Sequence, residues 1–197
     1  MQAVCMVKFF TLIFFIATSL TVSAQAAEDT TAPASMTPAQ LKIYRQFIWD
    51  SVPTAVGWVN DYGLLFETAQ EDTLEKKIAE FEKETSVEIM VVTTDSFMVD
   101  KQQFNEFAYR LLRIWGIGKI ARSNGMVICI CKDSRKIYIC TDFGIDRLLT
   151  KQDKHRIIKK VFIPWFIKDD YYTGTYEGLM AIQGKIYKNW KKYNPRK

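Results

Sequence analysis

Residues 115–145 constrain the fold of this chain more than any other stretch. They contain two apolar runs that are separated by a charged turn and bounded by an Asn-Gly pair and an Asp-Phe-Gly triplet. Because Gly and Asn favour backbone angles that bulkier residues avoid, apolar runs bounded in this way are not helix interiors. The stretch therefore predicts two strands, 126–131 and 137–141, which the turn at 132–135 joins as a hairpin.

Capping signals and apolar periodicity predict the elements around the hairpin. The β-branched run at 87–93 predicts a strand buried on both faces, whereas residues 57–66 are expected to be extended or looped. Helices are predicted at 37–52, at 68–84, after Asp100, from Thr150 to Pro164, and after Thr173 or Thr175. A strand, helix, strand unit implies a parallel pair with a right-handed crossover, to which the hairpin adds an antiparallel neighbour. We therefore predict an α/β fold, a Rossmann-like three-layer α/β/α sandwich around a small mixed sheet.

The N-terminal segment has the features of a secretory signal peptide. Lys8 precedes an apolar run, and small residues suit cleavage after Ala24 or Ala26. Because the run is shorter than the ~20 apolar residues that span a bilayer, an uncleaved N-terminal anchor is the less favoured alternative. We expect an exported protein, periplasmic or secreted. Its predicted segments are signal peptide 1–26, flexible linker 27–36, N-terminal helix 37–56, main domain 57–184 and basic C-terminal tail 185–197.

Positive charge is concentrated at the C-terminal end. Residues 185–197 contain six basic residues and no acidic ones, and the rest of the chain is close to neutral. Cations suit the end of a solvated helix; the alternative is weak contact with anionic lipid headgroups, aided by Trp190 and Tyr193. Nothing else favours a nucleic-acid partner, so we expect none, and we expect a monomer.

The residues that usually act as nucleophiles give little sign of catalysis. Cys129, Cys131 and Cys140 fall inside predicted strands, where Cys behaves as a small buried hydrophobe. Cys129 and Arg135 have the Cys-x5-Arg spacing of cysteine-dependent phosphatases, but in those enzymes the Arg begins a helix, and a hairpin cannot surround a phosphate in that way. His155 is the only His and is expected on a polar helix face, which leaves no His-based triad or zinc site.

The predicted topology collects polar residues at both ends of the sheet. The end at which parallel strands finish is the usual ligand side of an open α/β sheet, whereas the opposite end offers glycines and exposed backbone amides. The first end is expected to bring together Asp95, Ser96, Asp133, Arg135 and residues 168–170. The opposite end is expected to collect residues 115–118, 123–125 and 142–144.

Seven short motifs follow one another along the main domain. They are VNDYGLL at 59–65, WGIG at 115–118, NG at 124–125, SRK at 134–136, FG at 143–144, Pro164, and DYY at 170–172 with Gly174. In this order and spacing they resemble the TPM domain family, which includes thylakoid-lumen proteins of photosystem II repair, a receptor-auxiliary protein and phosphatases. The resemblance covers about residues 57–183, so the main domain is TPM-like. It implies an α/β/α sandwich, an exported or lumenal location, calcium binding in some members and weak acid phosphatase activity in some.

The chain departs from the family pattern in three ways. Ser123 stands where the family usually has Asp, which removes a carboxylate, and Asp142 stands where it usually has Gly, which places one at the same end of the sheet. Many members also carry a membrane helix and a Gly-rich tail after the domain, and this sequence shows neither. We therefore expect no anchoring role through such a helix.

Candidate metal ligands are the loop residues Asp61, Asn124 and Asp142. Calcium takes six to eight oxygen ligands, mostly carboxylate and carbonyl, and these three side chains supply some of them if the Asp61 segment packs over the Gly-rich end. Asp95, Asp133, Asp169 and Asp170 are the alternative ligands at the opposite end, and the sequence leaves open which end holds the site. The alternative is that they are ordinary turn and solubility residues. Calcium is the expected cofactor, and Mg²⁺ or Mn²⁺ is less favoured.

Candidate catalytic residues are Arg135 and Asp133, in the turn between the hairpin strands. If the protein hydrolyses phosphate esters, metal-assisted hydrolysis is the better mechanism, with Arg135 as a bidentate phosphate clamp. The alternative for Arg135 is a structural ion pair with Asp133 or Asp170.

These residues predict a function but leave catalysis open. The first expectation is a calcium-binding accessory module that recognises a protein partner in an exported compartment, because the sequence offers oxygen ligands but no clear nucleophile or general base. The second is a weak, metal-dependent acid phosphatase that hydrolyses phosphate monoesters. The third is a purely structural binding module.

Overall fold

The structure is a computed structural model that describes residues 36–119 and 122–193. The signal peptide and most of the linker predicted above lie outside these residues. The elements are α1 (Pro38–Asp50), β1 (Val59–Asp61), α2 (Thr68–Thr85), β2 (Glu88–Thr94), α3 (Phe104–Ile114), β3 (Gly125–Cys131), β4 (Lys136–Thr141), α4 (Phe143–Asp146), α5 (Lys151–Ile157), a π-helical turn (Ile158–Phe162), α6 (Ile163–Phe166) and α7 (Tyr171–Tyr193).

Four strands form one mixed sheet in the order β1-β2-β3-β4. β1 is parallel to β2 and β2 to β3, while β3 and β4 form the predicted antiparallel hairpin. β1 lies in the segment that we expected to be extended or looped, and its three residues are too few to show a strand period in the sequence. The parallel part of the sheet therefore has three strands and not the two that we predicted. The carboxyl end of β1 lies at the same end of the sheet as the carboxyl ends of β2 and β3.

The two central strands are buried on both faces, as their β-branched composition predicts. Successive side chains of β3 point to opposite sides of the sheet, so that Ile128 packs in one core and Cys129 in the other. The first core lies against α2, the π-helical turn and α7, and the second against α1 and α3. This arrangement confirms the three-layer α/β/α sandwich. The three strand cysteines are buried and unpaired.

The helix that begins after Thr150 runs through Pro164, where we predicted its end. Proline has no N–H to donate within a helix, and the backbone before it widens into a π-helical turn, in which Ile163 N–H bonds to the carbonyl of Ile158. The helical path then continues as α6. It ends beside the carboxyl end of the sheet, where the following turn contains Asp169.

The final helix, α7, includes most of the segment predicted as a basic tail. Residues 185–193 are its last turns, in agreement with the interpretation of the basic segment as a helix end. Across the described residues, no helix is both long and apolar enough to cross a membrane.

Candidate functional site

The carboxyl end of β1 is held by a single carboxylate, that of Asp61. It accepts hydrogen bonds from the N–H groups of Leu65 (3.0 Å) and Phe66 (2.8 Å) and from the hydroxyl of Thr93. These bonds fold the chain back after β1 and fasten it to β2. Both oxygens of the predicted metal ligand Asp61 therefore already have partners in the fold.

The loops after β2 and β3 are joined by a second carboxylate, that of Asp133. Its Oδ2 accepts hydrogen bonds from the backbone N–H (3.1 Å) and the hydroxyl (3.0 Å) of Ser96. Asp95 in turn accepts the N–H groups of Phe97 and Met98, at 2.9 and 2.7 Å. Asp133 therefore links the loop after β3 to the loop after β2, and Asp95 holds its own loop in shape.

A cavity of about 590 Å³ lies beside the hairpin turn at this end. One wall is apolar and comes from α6 and the start of α7, and the other is charged and comes from the turn. The lining residues are Cys131, Lys132, Asp133, Arg135, Lys136, Ile137, Ile163, Phe166, Ile167, Asp169 and Tyr171.

An ion pair and an aromatic ring connect the two walls of the cavity. The Lys132 ammonium lies 2.8 Å from Asp169 Oδ2 and 5.3 Å from the centre of the Tyr171 ring. The hydrogen bond to Asp169 raises the pKa of Lys132 above its ordinary value. Burial, and then the nearby Asp169 charge, raise the pKa of the Tyr171 phenol. Asp169 is therefore already neutralised by Lys132.

Arg135 and Lys136 are the two cations of this cavity that make no hydrogen bond or ion pair with a described residue, and Arg135 is the more exposed. Among the residues that the structure describes, its guanidinium makes no hydrogen bond and no ion pair. The predicted structural alternative was an ion pair with Asp133 or Asp170, but Asp133 binds Ser96 and Asp170 accepts the N–H of Thr173 at 2.9 Å. Arg135 is exposed and has a left-handed backbone angle, φ +49°, a conformation that favours Gly or Asn.

The Cys-x5-Arg spacing has no phosphatase geometry. Cys129 lies in the middle of β3 and is completely buried. Burial, and then the neighbouring thiols Cys131 and Cys140, raise the pKa of Cys129 far above its ordinary value. A buried thiol that stays protonated is not a nucleophile, in agreement with the prediction of two core strands and a turn.

At the opposite end of the sheet the backbone is packed unusually closely. A Cβ on Gly118, which has φ +92°, would overlap the backbone of Gly125 and lie 2.8 Å from Asp142 Oδ2. Asn124 accepts the N–H of Lys119 at 2.7 Å and donates to the carbonyl of Ser86. The glycines predicted for this end thus permit close approach, and the Asn124 side chain is used to hold the loops.

The structure does not bring the three predicted metal ligands together. Asp61 is paired with Thr93, and Gly125 with Glu88, so Asp61 and the Asn124–Asp142 end are separated by five residues of β2, or about 17 Å. The condition that the Asp61 segment packs over the Gly-rich end is therefore not met. Across the described residues, no three His, Cys, Asp or Glu side chains are grouped closely enough to hold a metal ion. The predicted set does not fit a single calcium site.

Comparison with known families decides the identity of the domain. The profile of the TPM domain matches residues 59–185, well over half of the chain, from β1 into the last turns of α7. The chain belongs to the TPM domain family. α1 lies outside the match and is tied to the domain by Arg45, which donates to Asp100 (2.8 Å) and to the carbonyl of Ser96 (2.6 Å).

Solved structures share this TPM domain fold. The N-terminal domain of a protein from P. gingivalis is 28% identical, with a TM-score of 0.62, over 68% of this chain and 84% of that one. The BA42 protein of the psychrophilic bacterium Bizionia argentinensis is 20% identical, with a TM-score of 0.54, over 65% and 87%. The N-terminal domain of cg2496 from Corynebacterium glutamicum is 14% identical, with a TM-score of 0.51, over 71% and 84%. No curated protein matches the chain.

Sequence reasoning missed the apolar wall of the TPM domain cavity. Phe166 and Ile167 lie beyond Pro164, where we predicted the helix to end, and Ile163 lies just before it; none of the three was assigned to any site. The available signal was the apolar run 161–167 directly before the charged triplet 168–170. An apolar run that continues past a proline indicates a kinked or widened helix as well as a terminated one.

Proposed function

We propose that this TPM domain is an exported accessory module that binds an anionic group of its partner in the cavity beside the hairpin turn. The observation that supports this proposal is Arg135, an exposed guanidinium that lines the cavity and has no partner among the described residues. A guanidinium presents a planar set of donors that matches a carboxylate or a phosphate with two parallel hydrogen bonds.

The charges around Arg135 favour an anion over a cation. Lys132 and Lys136 line the same cavity, and its two carboxylates, Asp133 and Asp169, are already bound to Ser96 and Lys132. The backbone of the turn gives no reason for an arginine, because a left-handed angle is less strained for Gly or Asn. The side chain at this position is therefore better explained by what it binds than by the turn.

The cavity suits a ligand that is partly apolar. Ile163, Phe166 and Ile167 form the wall that faces the charged turn, and Ile167 is 80% exposed. An apolar wall that faces a few charged or polar groups is the usual composition of a ligand pocket. A partner segment with an anionic group next to an apolar side chain would satisfy both walls.

The second candidate is a weak acid phosphatase that acts on phosphate monoesters. It is favoured by one observation, that Asp133 lines the cavity beside Arg135. The lining residues include no Ser, Thr or His, and Cys131 is buried. The attacking water would therefore require a divalent cation, Mg²⁺, Mn²⁺ or Ca²⁺, to activate it.

Calcium binding and the exported location stay predictions. Asp61 and Asn124 have side-chain oxygens that already accept backbone N–H groups, so a calcium ion would have to compete with the fold at either end of the sheet. Titration of the protein with calcium, followed by NMR, tests this directly. Shifts confined to one end would locate a site, and an unchanged spectrum at millimolar calcium would contradict calcium binding.

The proposal is tested by NMR titration with inorganic phosphate and with a phosphorylated peptide. We expect shifts at the hairpin turn and at Tyr171, their loss in Arg135→Asn, and their retention in the control Arg147→Gln, an exposed arginine that does not line the cavity. Equal binding by Arg135→Asn and the wild type would contradict the anion site. Turnover of p-nitrophenyl phosphate that depends on the metal and on Arg135 would favour the second candidate over a binding module.

A further inference from the structure

A second strongly charged surface lies away from the cavity, on the outer side of α5 and the π-helical turn. It is a shallow depression of about 610 Å³ that we call the basic face. Four of its six lining residues are Lys or Arg, a fifth is His, and none is acidic. The lining residues are Lys151, Gln152, His155, Arg156, Lys159 and Lys160.

The residues of this face lie on one stripe of the helix. Gln152, His155, Arg156, Lys159 and Lys160 are spaced i, i+3, i+4, i+7 and i+8, the spacing that places side chains on a single helical face. The stripe continues from α5 into the π-helical turn, so the cations of both elements lie on the same side.

Nothing in the described part of the chain neutralises most of these side chains. Lys151, His155, Lys159 and Lys160 make no ion pair with any described residue. Arg156 lies 3.8 Å from Asp153, but that carboxylate also binds Lys185 at 3.1 Å and the Thr150 cap. Like charges repel when they lie side by side on a helix, so internal ion pairing does not explain this face.

The last turns of α7 are also basic and are attached to α5. Lys185, Lys188, Lys191 and Lys192 follow one another there with no acidic residue. The ion pair of Lys185 with Asp153 joins this part of α7 to α5, and a 2.7 Å hydrogen bond from Asn189 to the carbonyl of Leu148 joins it to the residues just before α5. The last turns of α7 therefore carry further lysines on a helix that contacts the one with the basic face.

Two aromatic rings on α7 indicate which polyanion fits this surface. Tyr187 and Trp190 stack with an interplanar angle of 11° and centroids 6.2 Å apart, and the Lys191 ammonium lies 4.4 Å from the Tyr187 centroid. Nucleic-acid binding uses free ring faces for base stacking, but the Tyr187 ring is already covered. Lysines beside a Trp and a Tyr are instead the pattern of helices that lie on a membrane surface.

We propose that the basic face and the last turns of α7 bind anionic lipid headgroups at a membrane surface, without insertion. This extends the weak contact predicted for residues 185–197 to a surface built from two helices. Charge complementarity carries the proposal, since juxtamembrane lysines and arginines each add to the attraction of an anionic leaflet. It is independent of the anion cavity, because no residue lines both depressions.

Co-sedimentation of the protein with lipid vesicles tests the proposal. We expect binding to vesicles that contain phosphatidylglycerol, little binding to pure phosphatidylcholine, and release by salt because exposed charges are screened. The variant Lys151→Glu/Lys159→Glu/Lys160→Glu should bind at least about 100-fold more weakly. The matched control is Lys42→Glu/Lys76→Glu/Lys101→Glu, which changes the net charge equally at exposed lysines on other surfaces.

Three results would overturn the membrane proposal. One is an equal loss of binding in the control variant, which would mean that net charge alone is responsible. Another is equal binding to neutral and anionic vesicles. The third is tighter binding to a DNA duplex than to anionic vesicles, which would assign the surface to nucleic acid. Unchanged chemical shifts of β3 in both variants would show that each variant is folded.

Discussion

At the end of the sheet where Gly118 and Gly125 meet, Glu88 and Asn124 hold closely packed loops together, whereas at the carboxyl end two cations beside a cavity, Arg135 and Lys136, make no hydrogen bond or ion pair with a described residue. The Gly-rich end is joined by Glu88, which accepts the Gly118 N–H at 2.7 Å, and by Asn124. The carboxyl end is joined by comparable bonds to Asp61 and Asp133, and Arg135 remains free among the described residues. The difference teaches that a cluster of polar residues becomes a candidate site only where some group is not satisfied by the fold.

The largest expected effect is at the Gly-rich end. A Cβ on Gly125 would overlap the backbone of Ile117, and because backbone atoms cannot rotate away, Gly125→Ala should lower the free energy of unfolding by about 3 kcal/mol or more. Urea denaturation measures this change.

The matched control is Gly184→Ala in α7. No atom lies within 4 Å of the added methyl group, and Ala favours helix over Gly by about 1 kcal/mol, so this variant should be slightly more stable. A wild-type urea midpoint for Gly125→Ala would contradict the view that this end is fastened by close backbone contact.

The next effect separates structural carboxylates from metal ligands at the carboxyl end. Asp61→Ala removes an acceptor of two backbone N–H groups and of the Thr93 hydroxyl, which should cost about 2 to 3 kcal/mol because partly buried donors lose a charged partner. The urea midpoint without calcium measures it. Asp72→Ala, on the exposed side of α2, should stay within about 0.5 kcal/mol of the wild type.

The opposite result for Asp61 would be equally informative. An Asp61→Ala protein that keeps its stability without calcium but no longer gains stability from added calcium would identify Asp61 as a cation ligand. The carboxyl end would then contain a metal site in addition to the anion cavity.

The third effect should appear in binding and not in stability. Arg135→Asn places in the turn a residue that tolerates the left-handed φ of +49°. The free energy of unfolding should therefore change by less than about 0.5 kcal/mol. Phosphate binding should be lost, because no other side chain of the cavity offers a bidentate donor. Parallel urea and NMR titrations measure the two properties, and a large loss of stability would mean that Arg135 has a structural role.

The sandwich could be predicted from the sequence because each central element has a local signal. The run from Ile89 to Val92 is apolar, α1 and the helix after Thr150 begin with capping boxes, and the hairpin is bounded by turn residues. β1 could not be predicted, since its three residues form a strand only through pairing with β2. That single strand placed Asp61 at the opposite end of the sheet from Asn124 and Asp142.

The candidate site was predicted in part. The meeting of the Asp133 turn with the Asp169 segment follows from topology and is confirmed by the contact between Lys132 and Asp169. The absence of an ion pair at Arg135 among the described residues could not be predicted, because it depends on the hydrogen bonds that Asp133 and Asp170 make to other groups. Sequence patterns place residues at an edge, but the competition among neighbouring hydrogen bonds decides which of them remain available.

The smallest expected effect concerns the ion pair between Lys132 and Asp169. Asp169→Asn keeps a residue that accepts the left-handed angle of +63° but removes the hydrogen-bonded charge, so the pKa of Lys132 should fall toward its ordinary value of 10.5. Because the pKa is raised in the folded protein, the pair stabilises the fold fully below pH 10.5 and its contribution disappears as the pH rises through the folded pKa. The pair is exposed, so the melting temperature at neutral pH should change by no more than about 2 °C.

A pH titration of the Lys132 side chain, followed by NMR, measures this change in pKa. A phosphate titration of the same variant then tests how the ion pair affects anion binding in the cavity. With Asp169 neutral, Lys132 is released beside Arg135 in a cavity that has lost one negative charge. Phosphate should then bind several-fold more tightly than to the wild type. Weaker binding would mean that Asp169 positions Lys132 for the anion. The anion site at the carboxyl end would then consist of Lys132 and Arg135 together, and not of Arg135 alone.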